Sequence, residues 1–363
     1  MTFLLSRFNR ISKSIGSITG GPIDHFPTRA RAAIKIRRVA FLYRRVGVFP
    51  IQSRRRRSAR AIIITVLPND HGSDGNDLMT TLCIPIRIAF VLSLAASSPL
   101  EPLGKLDHPA IREASGIVAS RLHPGVFWVH NDSGNESVLF AVRRDGKLVR
   151  EFKVAAPNVD WEDIATDDHG KLYIADTGNN HELLPSRAVY VVDEPDPDSP
   201  GDQPLKTVRA IHYRFEKKRR FDCESLYIWK DRAYLITKRY DGREAERYSI
   251  AVDSAAPIFK PLIPRYEGTL AEFTEPATGA DLSADGRRLA VCSLKSARVY
   301  EIDPESGPRP ISFVRYDADQ VEAICWDGDD LLLANEQRGM FRIAASTWRP
   351  KSPLQSAVGE RCR

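Results

Sequence analysis

Two carboxylates two residues apart, Asp160 and Glu162, precede a hydrophobic run that is typical of a β-strand. Side chains at positions i and i+2 of a strand point to the same face of the sheet, so both carboxylates are expected to face one way. Such a pair can serve as a general acid and base, or it can bind a hard cation such as Ca²⁺. The pair alone does not distinguish catalysis from cation binding, so the surrounding sequence must be considered.

The same kind of strand start occurs five times along the chain. The five starts are centred on Ser115, Glu162, Glu224, Ala280 and Glu322, which are 47, 62, 56 and 42 residues apart. A second strand ending in a polar loop follows each start, and two more strands complete the unit. Periods of about 40–50 residues with four strands per unit are typical of β-propellers.

The repeat therefore predicts an all-β fold, a five-bladed β-propeller over residues 103–350. Asp-Gly pairs, which favour hairpin turns, separate many of the predicted strands. We expect either residues 103–110 or the segment after Trp348 to close the ring. A six-bladed ring with one degenerate blade and a two-sheet sandwich are the alternatives.

In a propeller the first strand of each blade lines the central channel. The loops before the first strand and after the second strand then open on the same face, so the acidic strand starts and the polar loops should meet at one channel mouth, together with Glu113. The predicted metal ligands there are Asp132, Asp160, Glu162, Asp176, Asp222, Glu224 and Glu322. Further ligand contacts are predicted for Asn131, Lys238, Asn335 and Glu336.

Crowded carboxylates repel one another, and a bound cation offsets that repulsion. The predicted mouth offers carboxylate and amide oxygens with few His or Cys side chains, which favours Ca²⁺, or else Mg²⁺, over zinc. The alternative is that the acids hold the blades together by accepting hydrogen bonds from backbone amides. The five cysteines show no paired metal-ligand spacing, and buried thiols are expected at Cys223, Cys292 and Cys325.

The charge of the chain is unevenly distributed. Residues 1–78 hold 15 Lys and Arg against 4 Asp and Glu, whereas the other 285 residues hold 38 against 43. The predicted domain is thus mildly acidic, which argues against a nucleic-acid partner. We interpret residues 1–78 as a disordered basic segment that precedes the true translation start, although a transit-like arm is an alternative.

Residues 79–97 have the layout of a secretory signal peptide. A basic flank beginning at Met79 is followed by a short apolar run and by small residues around Ser97. The apolar run is shorter than the about 20 residues that span a bilayer. The sequence therefore predicts an exported protein, periplasmic or extracellular, whose mature form has no transmembrane span and is a monomer. Residues 351–363 are predicted to be a tail.

Several segments together resemble the SdiA-regulated family of exported bacterial proteins. They are 112–119, 127–133, 140–152, 160–165 and 172–180. The chain is similar, more distantly, to the phytase-esterase-like and the senescence-marker/gluconolactonase-like propellers. The first resemblance implies a five-bladed, calcium-binding propeller with no established enzymatic activity. Ser115, Thr278 and Ala280 stand where acids would be expected, so the family's ligand set cannot be carried over whole.

The leading functional hypothesis is cation binding at the channel mouth, with that face presented to a small-molecule or protein ligand. The alternative is a cation-dependent lactonase or phosphoesterase in which Glu162 or Glu224 acts as the base. The sequence contains no nucleophile elbow, zinc-protease motif or phosphate-binding loop. A rigid interaction scaffold is a third class. The residues alone do not identify the substrate or the partner.

Overall fold

The computed structural model describes residues 98–199, 201–216, 221–254 and 256–349. Twenty strands in these residues form five antiparallel sheets of four strands each. The predictions for the basic segment 1–78, the signal peptide 79–97 and the tail 351–363 lie outside the described residues. What the structure describes is a five-bladed β-propeller.

Each blade consists of strands that are consecutive in the chain, apart from the outermost strand of blade five. Blade one contains β2 (Ala114–Ala119), β3 (Phe127–Asn131), β4 (Val138–Val142) and β5 (Leu148–Lys153). Blade two contains β6 (Trp161–Thr166), β7 (Lys171–Asp176), β8 (Arg187–Asp193) and β9 (Thr207–Tyr213). Blade three contains β10 (Cys223–Trp229), β11 (Arg232–Thr237), β12 (Glu246–Ala251) and β13 (Arg265–Thr269). Blade four contains β14 (Gly279–Leu282), β15 (Arg288–Ser293), β16 (Ser296–Asp303) and β17 (Gly307–Arg315). Blade five contains β18 (Val321–Asp327), β19 (Asp330–Asn335), β20 (Gly339–Ile343) and β1 (Glu101–Lys105).

The innermost strands β2, β6, β10, β14 and β18 contact one another in this order, and β18 contacts β2. The ring is therefore closed with five blades, and the six-bladed and sandwich alternatives are wrong. The closure comes from the start of the described chain, because β1 pairs antiparallel with β20 and completes blade five. After β20 the chain forms one short helix, α1 (Ala345–Trp348).

Hydrophobic residues fill the spaces between blades. The inner strand β6 is buried along its whole length, whereas β5 at the rim is mostly half-buried or exposed, as expected when blades pack face to face. Trp161 is fully buried and packs edge-to-face on His130 with ring centroids 5.5 Å apart. Its indole therefore belongs to the core.

Insertions from the following blade cover two of the outer sheet edges. Leu205, in the loop before β9, bridges to Val154 just after β5, and Leu262, in the loop before β13, bridges to Tyr213 of β9. Covering an outer strand satisfies backbone groups that would otherwise be open to pairing with another chain. These contacts explain why the second and third repeats are longer than the others.

The buried thiols predicted for Cys223, Cys292 and Cys325 are confirmed, and all three are free. Within the part of the chain that the structure describes, no helix is long and apolar enough to cross a bilayer.

Candidate metal centre

A β-bulge at the same place in four inner strands sets the direction of the key side chains. In each of these strands the pairing register skips one residue near the strand start. The skipped residues are Ser115, Glu162, Glu224 and Glu322. A bulge bends its strand and re-aims the unpaired side chain, so the repeated feature of the sequence is a repeated bulge at the channel mouth.

Blade four lacks this register skip. Its equivalent position therefore lies two residues earlier in the sequence than the repeat predicted. Gly279 pairs with Cys292 next to the end of β15, just as Asp163 pairs with Ala175 next to the end of β7. The residue that corresponds to Glu162 is therefore Thr278, and the alignment centred on Ala280 is wrong.

Hydroxyl side chains replace carboxylates at this position in blades one and four, and each ties its blade to the next one. Ser115 Oγ donates to the Glu162 carbonyl at 2.7 Å, and Thr278 Oγ1 donates to the Val321 carbonyl at 3.0 Å. At this position, therefore, only blades two, three and five carry a carboxylate.

Five of the predicted ligands converge into two overlapping groups. Ligand oxygens of Asp132, Asp160 and Glu162 lie within 4.8 Å of one another, and so do those of Glu162, Asp222 and Glu224. Asp160 and Asp222 precede inner strands, Asp132 follows a second strand, and both glutamates are bulge residues. Loops from blades one, two and three therefore meet as the repeat predicted, with Glu162 common to both groups.

A cavity of about 140 Å³ opens over these carboxylates. Its charged lining residues are Glu113, Asp132, Glu162, Glu224, Lys238, Glu322 and Glu336. The Lys238 ammonium, whose side chain is 10% exposed, forms an ion pair with Glu224. The predicted contact residues Lys238 and Glu336 are thus at the mouth, as is the predicted ligand Glu322.

Burial makes these carboxyl groups unusually basic. It raises the pKa of Glu162 and of Glu224 well above the usual range, and their mutual repulsion raises that of Glu162 further. Burial also raises the pKa of Glu322 to about 7, although the Lys238 ammonium opposes this shift. The pKa values of Asp132, Asp160 and Asp222 are raised as well, mainly by burial. Without a cation the ionised form of this cluster is therefore disfavoured.

One oxygen at the centre of the cluster has no hydrogen-bond partner among the described residues. Glu162 is 4% exposed, and its Oε1 atom is buried without a hydrogen bond. Buried carboxylate oxygens are normally satisfied by hydrogen bonds or by a cation. This oxygen therefore points to a ligand that completes the site.

Three other predicted residues support the loops instead of lining the cavity. Asp176 Oδ1 accepts the Asp160 amide at 2.7 Å, and Asn131 Oδ1 accepts the Arg112 amide at 2.9 Å. Asn335 donates from Nδ2 to the Asp319 carbonyl at 2.9 Å. The structure thus places Asp176, Asn131 and Asn335 at the ends of second strands, where their polar atoms hold the loops that lead into the inner strands.

Gly178 and Asn158 also shape the mouth, although the sequence pattern predicts neither role. The Gly178 amide donates to the Asp160 carbonyl at 3.1 Å, and this glycine lies directly against the Asp160 and Glu162 carboxylates. Asn158 donates to the Asp132 carbonyl at 3.0 Å and accepts the Trp161 amide at 3.1 Å. The Thr-Gly-Asn run after β7 is the sequence feature that could have indicated a close approach of the backbone at Gly178.

Two buried aspartates next to the cluster, Asp163 and Asp281, have a structural role that the sequence pattern did not predict. Asp163 is fully buried and accepts amides from Ile164 at 2.9 Å, Leu226 at 2.7 Å and Ala280 at 3.1 Å, which joins the inner strands of three blades. Asp281 accepts the Trp326 amide at 2.9 Å. The alternative role considered for all the acids, holding neighbouring blades together by accepting backbone amides, therefore applies to Asp163 and Asp281.

A larger cavity of about 590 Å³ lies at the turns of blades two to four, at the opposite end of the inner strands. Two of its acids have local partners, since Asp168 pairs with Arg121 at 3.4 Å and Asp167 accepts the Tyr173 hydroxyl at 2.9 Å. Of the described residues that line it, none leaves a buried side-chain polar atom without a hydrogen-bond partner. The carboxylate mouth is therefore the stronger candidate site despite its smaller volume.

Comparisons with known proteins do not assign a family. No family model matches the chain, and no curated protein matches it. Among solved structures, the chain is similar to hydrazine synthase of Kuenenia stuttgartiensis, with 16% sequence identity and a TM-score of 0.34. The match covers 62% of this chain and 56% of that chain, so this chain spans little more than half of its length. The propeller assignment rests on the five sheets themselves.

Proposed function

We propose that this protein binds a divalent cation, calcium, at the channel mouth formed by blades one, two and three. The observation that carries the proposal is the buried and unpartnered Oε1 of Glu162 among four further carboxylates. A cation would satisfy that oxygen and would also offset the repulsion that raises the pKa of the cluster.

The donor set favours calcium. Every clustered ligand atom is a carboxylate oxygen, whereas His130, the nearest histidine in sequence, is buried in the core against Trp161. Calcium takes about 6–8 oxygen ligands in irregular arrangements, and backbone carbonyls and water can complete the set. Magnesium demands a stricter octahedron, and zinc prefers nitrogen and sulfur donors.

Cation binding fits the geometry better than hydrolysis does. The proposed bases, Glu162 and Glu224, are the carboxylates that would hold the ion, and Glu224 also pairs with Lys238. A general base must be free to accept a proton from water, and neither residue meets that condition while it is a ligand. The hydrolase therefore stays the second hypothesis.

Calorimetric titration of the chain with CaCl₂, after treatment with a chelator, tests the proposal. We expect saturable binding that Glu162→Gln weakens by about tenfold or more, equivalent to about 1.4 kcal/mol. Glu305→Gln is the matched control because Glu305 is exposed in the turn after β16, away from the mouth. Absence of binding at millimolar calcium would refute the proposal.

We also propose that the protein is exported and is a member of the SdiA-regulated family, presenting the cation-bound mouth to a ligand. The support is the signal-peptide layout of residues 79–97 together with the resemblance over residues 112–180. Sequencing the N-terminus of secreted material tests export, and a start near Ser98 is expected. Recovery of protein that starts at Met1 would contradict it.

A further inference from the structure

We propose that the mouth holds two divalent cations bridged by Glu162. This inference rests on the proposed cation binding and concerns the number and the positions of the ions. The two positions are named here by their distinguishing aspartates. The Asp132 site consists of Asp132, Asp160 and Glu162, and the Asp222 site consists of Glu162, Asp222 and Glu224.

The ligand oxygens at the mouth fall into two groups of three. Calcium–oxygen distances are about 2.3–2.6 Å, so oxygens that share one ion lie no more than about 5 Å apart. Within each group of three the ligand oxygens lie within 4.8 Å of one another, and only Glu162 belongs to both groups. A carboxylate shared between two nearby ions is a familiar arrangement in two-metal sites, where the ions are about 3.5–4 Å apart.

The two sites join different pairs of blades. Asp132 follows β3 of blade one, whereas Asp160 and Glu162 belong to blade two, so an ion at the Asp132 site connects blades one and two. Asp222 and Glu224 belong to blade three, so an ion at the Asp222 site connects blades two and three. Glu162 lies between them because its bulge turns the side chain into the mouth.

The charge at the mouth also favours two ions. Six carboxylates and a single ammonium line the cavity, and Asp160 and Asp222 add two more carboxylates beside it. One divalent cation would leave most of this formal charge uncompensated in a poorly solvated space, where like charges are costly. A second ion reduces this excess of negative charge.

Lys238 makes the two sites unequal. Its ammonium already pairs with Glu224, a ligand of the Asp222 site. In contrast, neither Asp132 nor Asp160 forms an ion pair with any described residue. An ion entering the Asp222 site must share Glu224 with Lys238 or displace it, so the Asp132 site is expected to fill first and the Asp222 site to bind more weakly.

Counting ions on the unmodified chain is the primary test, because it needs no variant. Equilibrium dialysis against calcium, followed by elemental analysis, should give two ions per chain at saturation, and calorimetry should resolve a tighter and a weaker step. A plateau at one ion per chain would overturn the two-cation inference and leave the proposed function intact. No bound calcium would refute the proposed function itself.

Variants assign the two steps. Asp132→Asn is expected to remove the tighter step and Asp222→Asn the weaker one, while Glu162→Gln weakens both. Lys238→Met should tighten the weaker step by about tenfold, since a neighbouring positive charge is removed. Asp168→Asn, at the opposite end of the channel, is the matched control and should change neither step. If Asp132→Asn and Asp222→Asn affect the same single step, the inference fails.

Discussion

Gly178 lies directly against the carboxylates of Asp160 and Glu162, and no side chain would fit between its backbone and these two groups. A Cβ atom added at Gly178 would overlap Oε1 of Glu162 and would lie 2.5 Å from Cγ of Asp160. The loop after β7 therefore rests directly on the pair of acids, and the amides of Thr177 and Gly178 both bond to the Asp160 carbonyl at 3.1 Å. Because Gly178 has no side chain, the loop after β7 can approach Asp160 and Glu162 closely enough to hold both proposed ligands in position.

Replacing Gly178 by alanine should impair the mouth more than the fold. The new methyl group must push the ends of the Glu162 and Asp160 side chains away, which displaces proposed ligand atoms. We expect calcium affinity to fall by about tenfold or more, equivalent to about 1.4 kcal/mol, when it is measured by calorimetry. Gly125→Ala is the control: Gly125 has φ +77° and open space around it, so its replacement should cost stability without changing affinity. Unchanged calcium affinity in Gly178→Ala would contradict this role.

Calcium affinity should fall as the pH drops from 8 to 6. Binding requires ionised carboxylates, and burial raises the pKa of Glu322 to about 7 and those of Glu162 and Glu224 well above the usual range. Calcium must therefore displace protons near neutral pH. Calorimetry in buffers of different ionisation enthalpy should show proton release on binding. A pH-independent affinity over this interval would contradict the account.

The calcium-free protein should lose stability as the pH rises from about 4 to 7. Burial raises the pKa of Asp176 from 3.8 to about 6 in the folded state, so the folded state binds protons more tightly than the unfolded chain does. This contribution is fully present below the unfolded pKa and is lost as the pH rises through the folded pKa. Its order of magnitude is about 3 kcal/mol.

Thermal unfolding in chelator at several pH values measures this loss, and Asp176→Asn should flatten the profile. Added calcium should oppose the decline, because it binds the folded state alone and does so best at high pH. A melting temperature that rises with pH in chelator would show that the folded-state carboxyl groups are not protonated as described.

The sequence predicted the blade number and the convergence of acids because both follow from a periodic pattern. Spacing alone could not distinguish Glu162, which a bulge turns into the mouth, from its neighbour Asp163, which is directed at backbone amides of the adjoining blades. It also could not place Thr278, since blade four lacks the register skip that the alignment assumed. The contact of Lys238 with Glu224 depends on the side-chain directions at the paired ends of β10 and β11, which the spacing pattern does not specify.

Asp163 is expected to be the most important acid for stability. Its carboxylate accepts three amides from the inner strands of blades two, three and four. Asp163→Ala would leave these buried donors without partners, at about 1–3 kcal/mol each, so a loss of about 3 kcal/mol or more is expected in urea unfolding. Asp163→Asn, which keeps one acceptor oxygen, should lose less. A loss below about 1 kcal/mol for Asp163→Ala would show that the amides find other partners.

Ring closure depends on β1, which is the outermost strand of blade five although it begins the described chain. Glu101 pairs with Arg342 both in register and through an ion pair of 2.6 Å, and Leu100 is buried in the core between blades four and five. A chain that begins at Leu106 loses all of these contacts and exposes the edge of β20. Because each lost hydrogen bond costs about 1 kcal/mol, we expect a loss of about 3–4 kcal/mol in urea unfolding, with aggregation through the open edge. A chain that begins at Ser98 keeps β1 and is the control. Equal stability of the two chains would mean that β1 does not close the ring.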